Sequence, residues 1–178
     1  MKNHIAILII QLSFSFIFSQ NEKDSLVTVI EYYKNGNIKE EGVQSPDLMK
    51  HGKWTSYYSN GQIQYIRNYQ LGVLNGEAFE YSQNGQLKEK YFMKDGLKEG
   101  QSLLYGWGET LESEFNYSKG LRQGISYNYN WKGNVLSQTN WKDDKKHGTF
   151  IKYCFHTGKI EKEFEYEHNE YPKKYYRD

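Results

Sequence analysis

Apolar and polar residues alternate along most of this chain, and the alternation is interrupted at regular intervals. From Tyr57 the sequence runs YYSNGQIQYIRNYQLGVLNG: a tyrosine pair, an Asn-Gly step, an alternating stretch, then two glycines with three residues between them. Gly52, Gly76, Gly100, Gly124 and Gly148 repeat this with a step of 24 residues. Gly72, Gly96 and Gly120 form a parallel series, continued by Asp144. Tyr57, Tyr81, Tyr105, Tyr129 and Tyr153 keep the same step, with Tyr32 ahead of them at 25. An aliphatic series follows: Ile38, Ile63, Leu87, Leu111, Val135 and Ile160. Period-two alternation predicts strands, and a period in this range predicts one supersecondary unit per repeat. The unit is a β-hairpin, and about six fit the chain.

The turns are legible. Asn35-Gly36, Asn60-Gly61 and Asn84-Gly85 supply residues that tolerate positive φ, and Lys132-Gly133 and Thr157-Gly158 keep the glycine. In the fourth copy, Gly108-Glu109, the glycine moves one place earlier. Tyr57 and Ile63 are six residues apart, as are Tyr105 and Leu111. That parity predicts a three-residue loop with glycine at a bulge, pairing the two across the hairpin.

Strict alternation beyond the loop then sorts two faces. One receives Tyr57, Ile63, Tyr65 and Tyr69, and in later copies Phe79, Tyr81, Tyr91, Met93, Leu103, Tyr105, Phe115, Tyr117, Tyr127, Tyr129, Trp141, Ile151, Tyr153, Phe164 and Tyr166. The other receives Lys88, Lys90, Glu112, Glu114, Glu161, Glu163 and Glu165. Trp54, Tyr58 and Ile66 fall together on this polar face, where Trp and Tyr are the residues that interfaces use as anchors. They are the candidate partner-binding cluster. An irregular link around Ser45-Pro46-Asp47 folding over them is the alternative.

Composition narrows the class. The chain has 178 residues, a formal net charge of +1 and 17% aromatic residues. A balanced charge argues against nucleic acid as a partner. Residues 5–18 are mostly apolar, Ser19 is small, and Gln20-Asn21-Glu22-Lys23-Asp24 is polar. This pattern predicts a signal peptide over 1–19, cut before Gln20, with an uncleaved anchor helix as the alternative. Residues 20–178 then form one exported repeat domain with a single thiol, Cys154.

The repeated unit, Y-x-x-N-G-x-[I/L] followed by G-x-x-x-G, resembles the MORN repeat over residues 32–166. It looks most like the bacterial variant found in antitoxins of the YwqK type. The resemblance implies an all-β, elongated antiparallel meander of stacked hairpins. It also implies protein or membrane association rather than catalysis, although an antitoxin ordinarily works in the cytosol.

No constellation suggests an enzyme, a cofactor or a metal. His51 and His147 share a repeat position with Asn75, Glu99 and Gln123, which marks the place as structural. Cys154 and His156 have no second pair at zinc spacing. Glu161, Glu163, Glu165 and Glu167 are read as a charged outer face or a charged strand edge rather than a calcium site. The leading expectation is an exported, non-catalytic module binding another protein, with an immunity-like role as one version. The alternative is an envelope-associated module taking glycan or lipid headgroups on an aromatic face.

Overall fold

The computed structural model describes residues 25–170. The segment expected to be a signal peptide lies outside them. Among the described residues, fourteen strands and one short 3₁₀ turn account for the regular structure, and the strands follow an antiparallel meander. The expected all-β hairpin fold is observed.

The chain divides into two compact units. In the first, to Gln86, β1 (Val27–Tyr32), β2 (Ile38–Gln44), β3 (Lys50–Tyr57), β4 (Ile63–Gln70) and β5 (Val73–Tyr81) pair in chain order. In the second, from Leu87, β6 (Leu87–Lys94) pairs with the short β7 (Leu97–Lys98) and with β8 (Gly100–Tyr105). β9 (Leu111–Ser118) pairs with β8, β10 (Leu121–Arg122) and β11 (Gly124–Tyr129). β12 (Val135–Lys142), β13 (Lys145–Tyr153) and β14 (Ile160–Tyr166) complete the order.

The three-residue loops form as expected. In the β3–β4 hairpin, Gly61 N–H donates to Tyr58 O at 2.9 Å and Tyr58 N–H donates to Gln62 O at 2.8 Å. Gly61 takes φ +88°. Tyr57 pairs with Ile63, Tyr105 with Leu111, Tyr129 with Val135 and Tyr153 with Ile160. In the fourth copy Gly108 and Glu109 both take positive φ, so a non-glycine residue occupies the bulge position.

The face assignment fails one residue later. After Tyr57↔Ile63 the register continues as Ser56↔Tyr65, leaving Gln64 unpaired. Glu112, Leu136 and Glu161 are extra in the same way. A single-residue bulge reverses the alternation of everything beyond it. Tyr65, Tyr69, Tyr91, Met93, Phe115, Tyr117, Trp141, Phe164 and Tyr166 therefore lie opposite the tyrosine column, not with it. Glu114, Glu163 and Glu165 lie with the column instead, because they pair with Tyr127, Ile151 and Thr149.

A second irregularity sits at the conserved-spacing glycines. Arg67 pairs with Ala78 but Tyr69 pairs with Leu74, so β5 bulges around Gly76. Asn68 Nδ2 bridges the gap to Glu77 O at 2.8 Å. Asn116 Nδ2 does the same to Ile125 O and Asn140 Nδ2 to Thr149 O. Gly52, Gly76, Gly100, Gly124 and Gly148 all have positive φ, which explains their spacing. After the longer first link over 45–49, the links between hairpins are two-residue turns with positive φ at both positions: Leu71-Gly72, Asp95-Gly96, Lys119-Gly120 and Asp143-Asp144.

Candidate functional site

The core lies on the face that alternation had assigned to polar residues. At the place 24 residues apart stand Trp54, Ala78, Ser102 and Ser126, all buried. The small members are floors for large rings from the neighbouring strand. Ser102 pairs with Phe115, and Trp141 Nε1 donates to Ser126 Oγ at 2.7 Å. At the first of these places the arrangement is inverted: Trp54 is the large ring, and it rests on Gly42. At the end of the second unit Phe150, Phe164 and Tyr166 pack together, with centroids 4.9 Å apart for Phe150–Phe164 and Phe164–Tyr166.

Cations close this face. Lys50 Nζ lies 4.1 Å from the Trp54 ring centroid and 5.4 Å from that of Tyr69. Lys98 covers Tyr91 and Tyr117, Arg122 covers Trp141 at 3.8 Å, and Lys146 covers Trp141 and Tyr166. Lys98, Arg122 and Lys146 follow the 24-residue step, and Lys50 stands two steps before Lys98. The series was visible in the sequence and was missed, since scattered Lys and Arg look like an ordinary solvated surface. Each cationic head lies over a ring face, the geometry of a cation–π contact. Carboxylates hold the heads: Glu40 for Lys50 at 2.6 Å, Glu89 for Lys98, and Asp144 for Arg122 at 2.8 Å. The Arg122 guanidinium and backbone N–H keep the Asp144 carboxyl below the usual range.

The candidate cluster does not survive as an exposed anchor. Trp54 is only 3% exposed, and its Nε1 donates to Val43 O at 2.8 Å. Tyr58 is half-buried and spans to the next hairpin, where its hydroxyl donates to Tyr81 O at 2.9 Å. Ile66 pairs with Thr55 and Phe79, on the opposite face from Trp54. The bulge at Gln64 is the reason: it moves Ile66 to the other side.

The opposite face carries the tyrosine column and is more open. Tyr57, Tyr105, Tyr129 and Tyr153 are half-buried. Two of them hold carboxylates: Tyr57 Oη donates to Glu41 at 2.6 Å and Tyr129 Oη to Glu114 at 3.1 Å. Burial, and then the neighbouring carboxylate, push both hydroxyls up to about 12. Leu103, Leu111, Tyr127, Val135 and Ile151 fill the remainder of this face in the second unit, all half-buried.

The remaining candidates lie away from both faces' central residues. The His147 ring lies against His168 at 5.2 Å. The hydroxyl and backbone N–H of Thr157 lower the Cys154 thiol from its ordinary value. Among the described residues no group of three or more His, Cys, Asp or Glu could hold a metal ion. Among the described residues β14 is the last strand of its unit; Glu163 and Glu165 stand on its tyrosine-column face, and Glu161 is its bulge residue.

No curated protein matches this chain. The bulges, glycines and link turns described above recur through the second unit as well as the first, and the repeat they define has a known counterpart. Residues 27–43, 50–71 and 74–95 each match the MORN repeat variant.

Proposed function

We propose that the protein is an exported, non-catalytic binding module whose partner is another protein. Its docking surface is the tyrosine and carboxylate face of the second unit. The observation that carries this reading is the half-buried state of Tyr105, Tyr127 and Tyr129 beside Leu103, Leu111 and Val135. The bulges gather the larger rings on the other face, so this face keeps tyrosines, short aliphatics and Glu114 at its surface. Tyrosine gives rigid contact area together with a hydroxyl, and protein interfaces are enriched in it. An immunity-like role, neutralising a second protein, is one version. Export rests on the apolar run before Ser19.

The test is crosslinking of the mature protein in its native envelope, followed by partner identification, with Tyr105→Ala and Tyr129→Ala compared against the parent. A partner captured by the parent and lost from both variants, with folding intact by circular dichroism, supports the reading. Capture that ignores both variants overturns the docking surface. Intact mass showing Met1 retained in a cytosolic pool overturns export.

A further inference from the structure

From the second hairpin on, the first residue of each loop occupies one more 24-residue series: Ser59, Gln83, Trp107, Trp131 and Phe155, the last opening a four-residue loop. In the first unit these positions are polar, and their backbone joins neighbouring tips. Ser59 O accepts from Asn35 and Asn37, and Gln83 O accepts from Asn60. In the second unit all three are aromatic and solvent-facing: Trp107 is 84% exposed, Trp131 70% and Phe155 43%. The core does not use them. Their turns are nonetheless firmly closed. Gly106 N–H donates to Thr110 O, Asn130 N–H to Asn134 O and Cys154 N–H to Lys159 O, at 2.8 to 2.9 Å. The buried Asn130 carboxamide also accepts from the N–H groups of Lys132 and Asn134.

In a meander every second turn lies at the same end of the strands. The hairpins β8–β9, β11–β12 and β13–β14 are consecutive in the second unit, so their tips form a row. Neighbouring tips are two strand widths apart, about 10 Å. This is the length of one disaccharide in an extended β-1,4-linked polysaccharide. In such a chain alternate sugars are turned over, so every second pyranose presents the same C–H face, at that interval.

We propose that Trp107, Trp131 and Phe155 form a binding strip for a single β-1,4-linked polysaccharide chain, each ring stacking on every second sugar. Three observations favour this ligand over a bilayer. The charges at the tips are mixed, Glu109 beside Trp107 and Lys132 over the Trp131 ring at 4.9 Å, whereas interfacial membrane anchors carry a basic flank. Adjacent strands twist by roughly 20–25°, so the three rings follow a ramp rather than a plane. A single extended chain can twist along such a ramp, whereas a flat bilayer surface would meet the three rings at unequal depths. Finally, Lys132 Nζ, beside the Trp131 ring, is placed to donate to a sugar hydroxyl, whereas Glu109, Thr110 and Thr157 already bond within the protein. This strip is separate from the tyrosine face, and its failure would leave the protein-docking reading untouched.

The test uses the full chain with cellohexaose and chitohexaose, which distinguish a plain glucan from an N-acetylated chain. Maltohexaose, cellobiose and phosphatidylglycerol vesicles are the controls. Binding is read by tryptophan emission and calorimetry. Either β-1,4 hexasaccharide should shift the emission and bind well above cellobiose and maltohexaose. Trp107→Ala, Trp131→Ala and Phe155→Ala should each weaken binding about fivefold, the yield of one stacked ring. Trp131→Tyr should restore most of the loss, and the urea midpoint should not move. Equal binding of maltohexaose, no binding of either β-1,4 hexasaccharide, or vesicle binding lost with the same three residues would overturn the strip.

Discussion

The indole of Trp54 lies directly on the backbone of Gly42: a Cβ added at Gly42 would come within 2.3 Å of Trp54 Cδ2. The missing side chain of one residue is the seat of the other. Gly42→Ala must push the ring away, and overpacking of this kind costs about 1–3 kcal/mol. Trp54→Ala empties the seat and should cost about 3–5 kcal/mol. The double variant should lose less than the sum, because the two changes act on one contact. Urea midpoints of the three variants measure this. A midpoint for Trp54→Ala equal to the parent's would mean that the ring is not packed.

The asparagines at the glycine bulges are expected to be structural. Asn116→Ala and Asn140→Ala each leave a carbonyl, of Ile125 and Thr149, without its side-chain donor. Each should lower stability by about 1–2 kcal/mol. Asn116→Asp cannot donate and should be no better than alanine. Thermal melts of the series decide this, and full stability in the Asp variant would remove the bridging role.

Alkaline pH should unfold the protein through Tyr57 and Tyr129. Their hydroxyls ionise at about 12 in the fold, against 10.0 ordinarily. The folded state thus holds these protons more tightly than the unfolded chain. Their contribution is complete below pH 10 and is lost as pH rises from 10 towards 12. The slope of urea midpoint against pH in that window should flatten in Tyr57→Phe and Tyr129→Phe. An unchanged slope in both would assign alkaline unfolding to other groups.

One substitution should stabilise. Leu71 is exposed and holds φ +48° at the first position of a two-residue turn, followed by Gly72. A left-handed conformation costs an ordinary residue roughly 1–2 kcal/mol, and asparagine tolerates it better. Leu71→Asn creates an Asn-Gly turn and should raise stability by about 1 kcal/mol. A lower melting temperature would show that the leucine side chain contributes a contact that outweighs its backbone.

The repeat period, the loop length and the Tyr57–Ile63 pairing were all legible in the sequence because each rests on a residue type. Glycine marks positive φ, and tyrosine and isoleucine mark the paired column. The bulge at Gln64 was not legible. A bulge of this kind takes a near-helical backbone that any residue adopts, so Gln64, Glu112, Leu136 and Glu161 share no side-chain signature. That single silent residue misplaced the core, turned Trp54 from a buried ring into an apparent surface anchor, and grouped it with Ile66 from the other side. The cation series was legible in principle, since Lys98, Arg122 and Lys146 keep the step. It carries meaning only once Tyr117, Trp141 and Tyr166 are known to lie beneath it.

From the second hairpin on, bulges recur at two kinds of place, one after the loop and one at the glycine, and this restricts the ways the chain can go wrong. Slipping a strand by one or two residues would set every bulge against a regular partner and expose the rings. Skipping a whole repeat would bring bulge against bulge and glycine against glycine, at little local cost. Mispairing during folding, exchange of strands between two copies, and gain or loss of sequence over generations are all steered into the same steps of 24 residues. The irregularities that hid the fold from a reading of alternation are also what make its length countable in whole units.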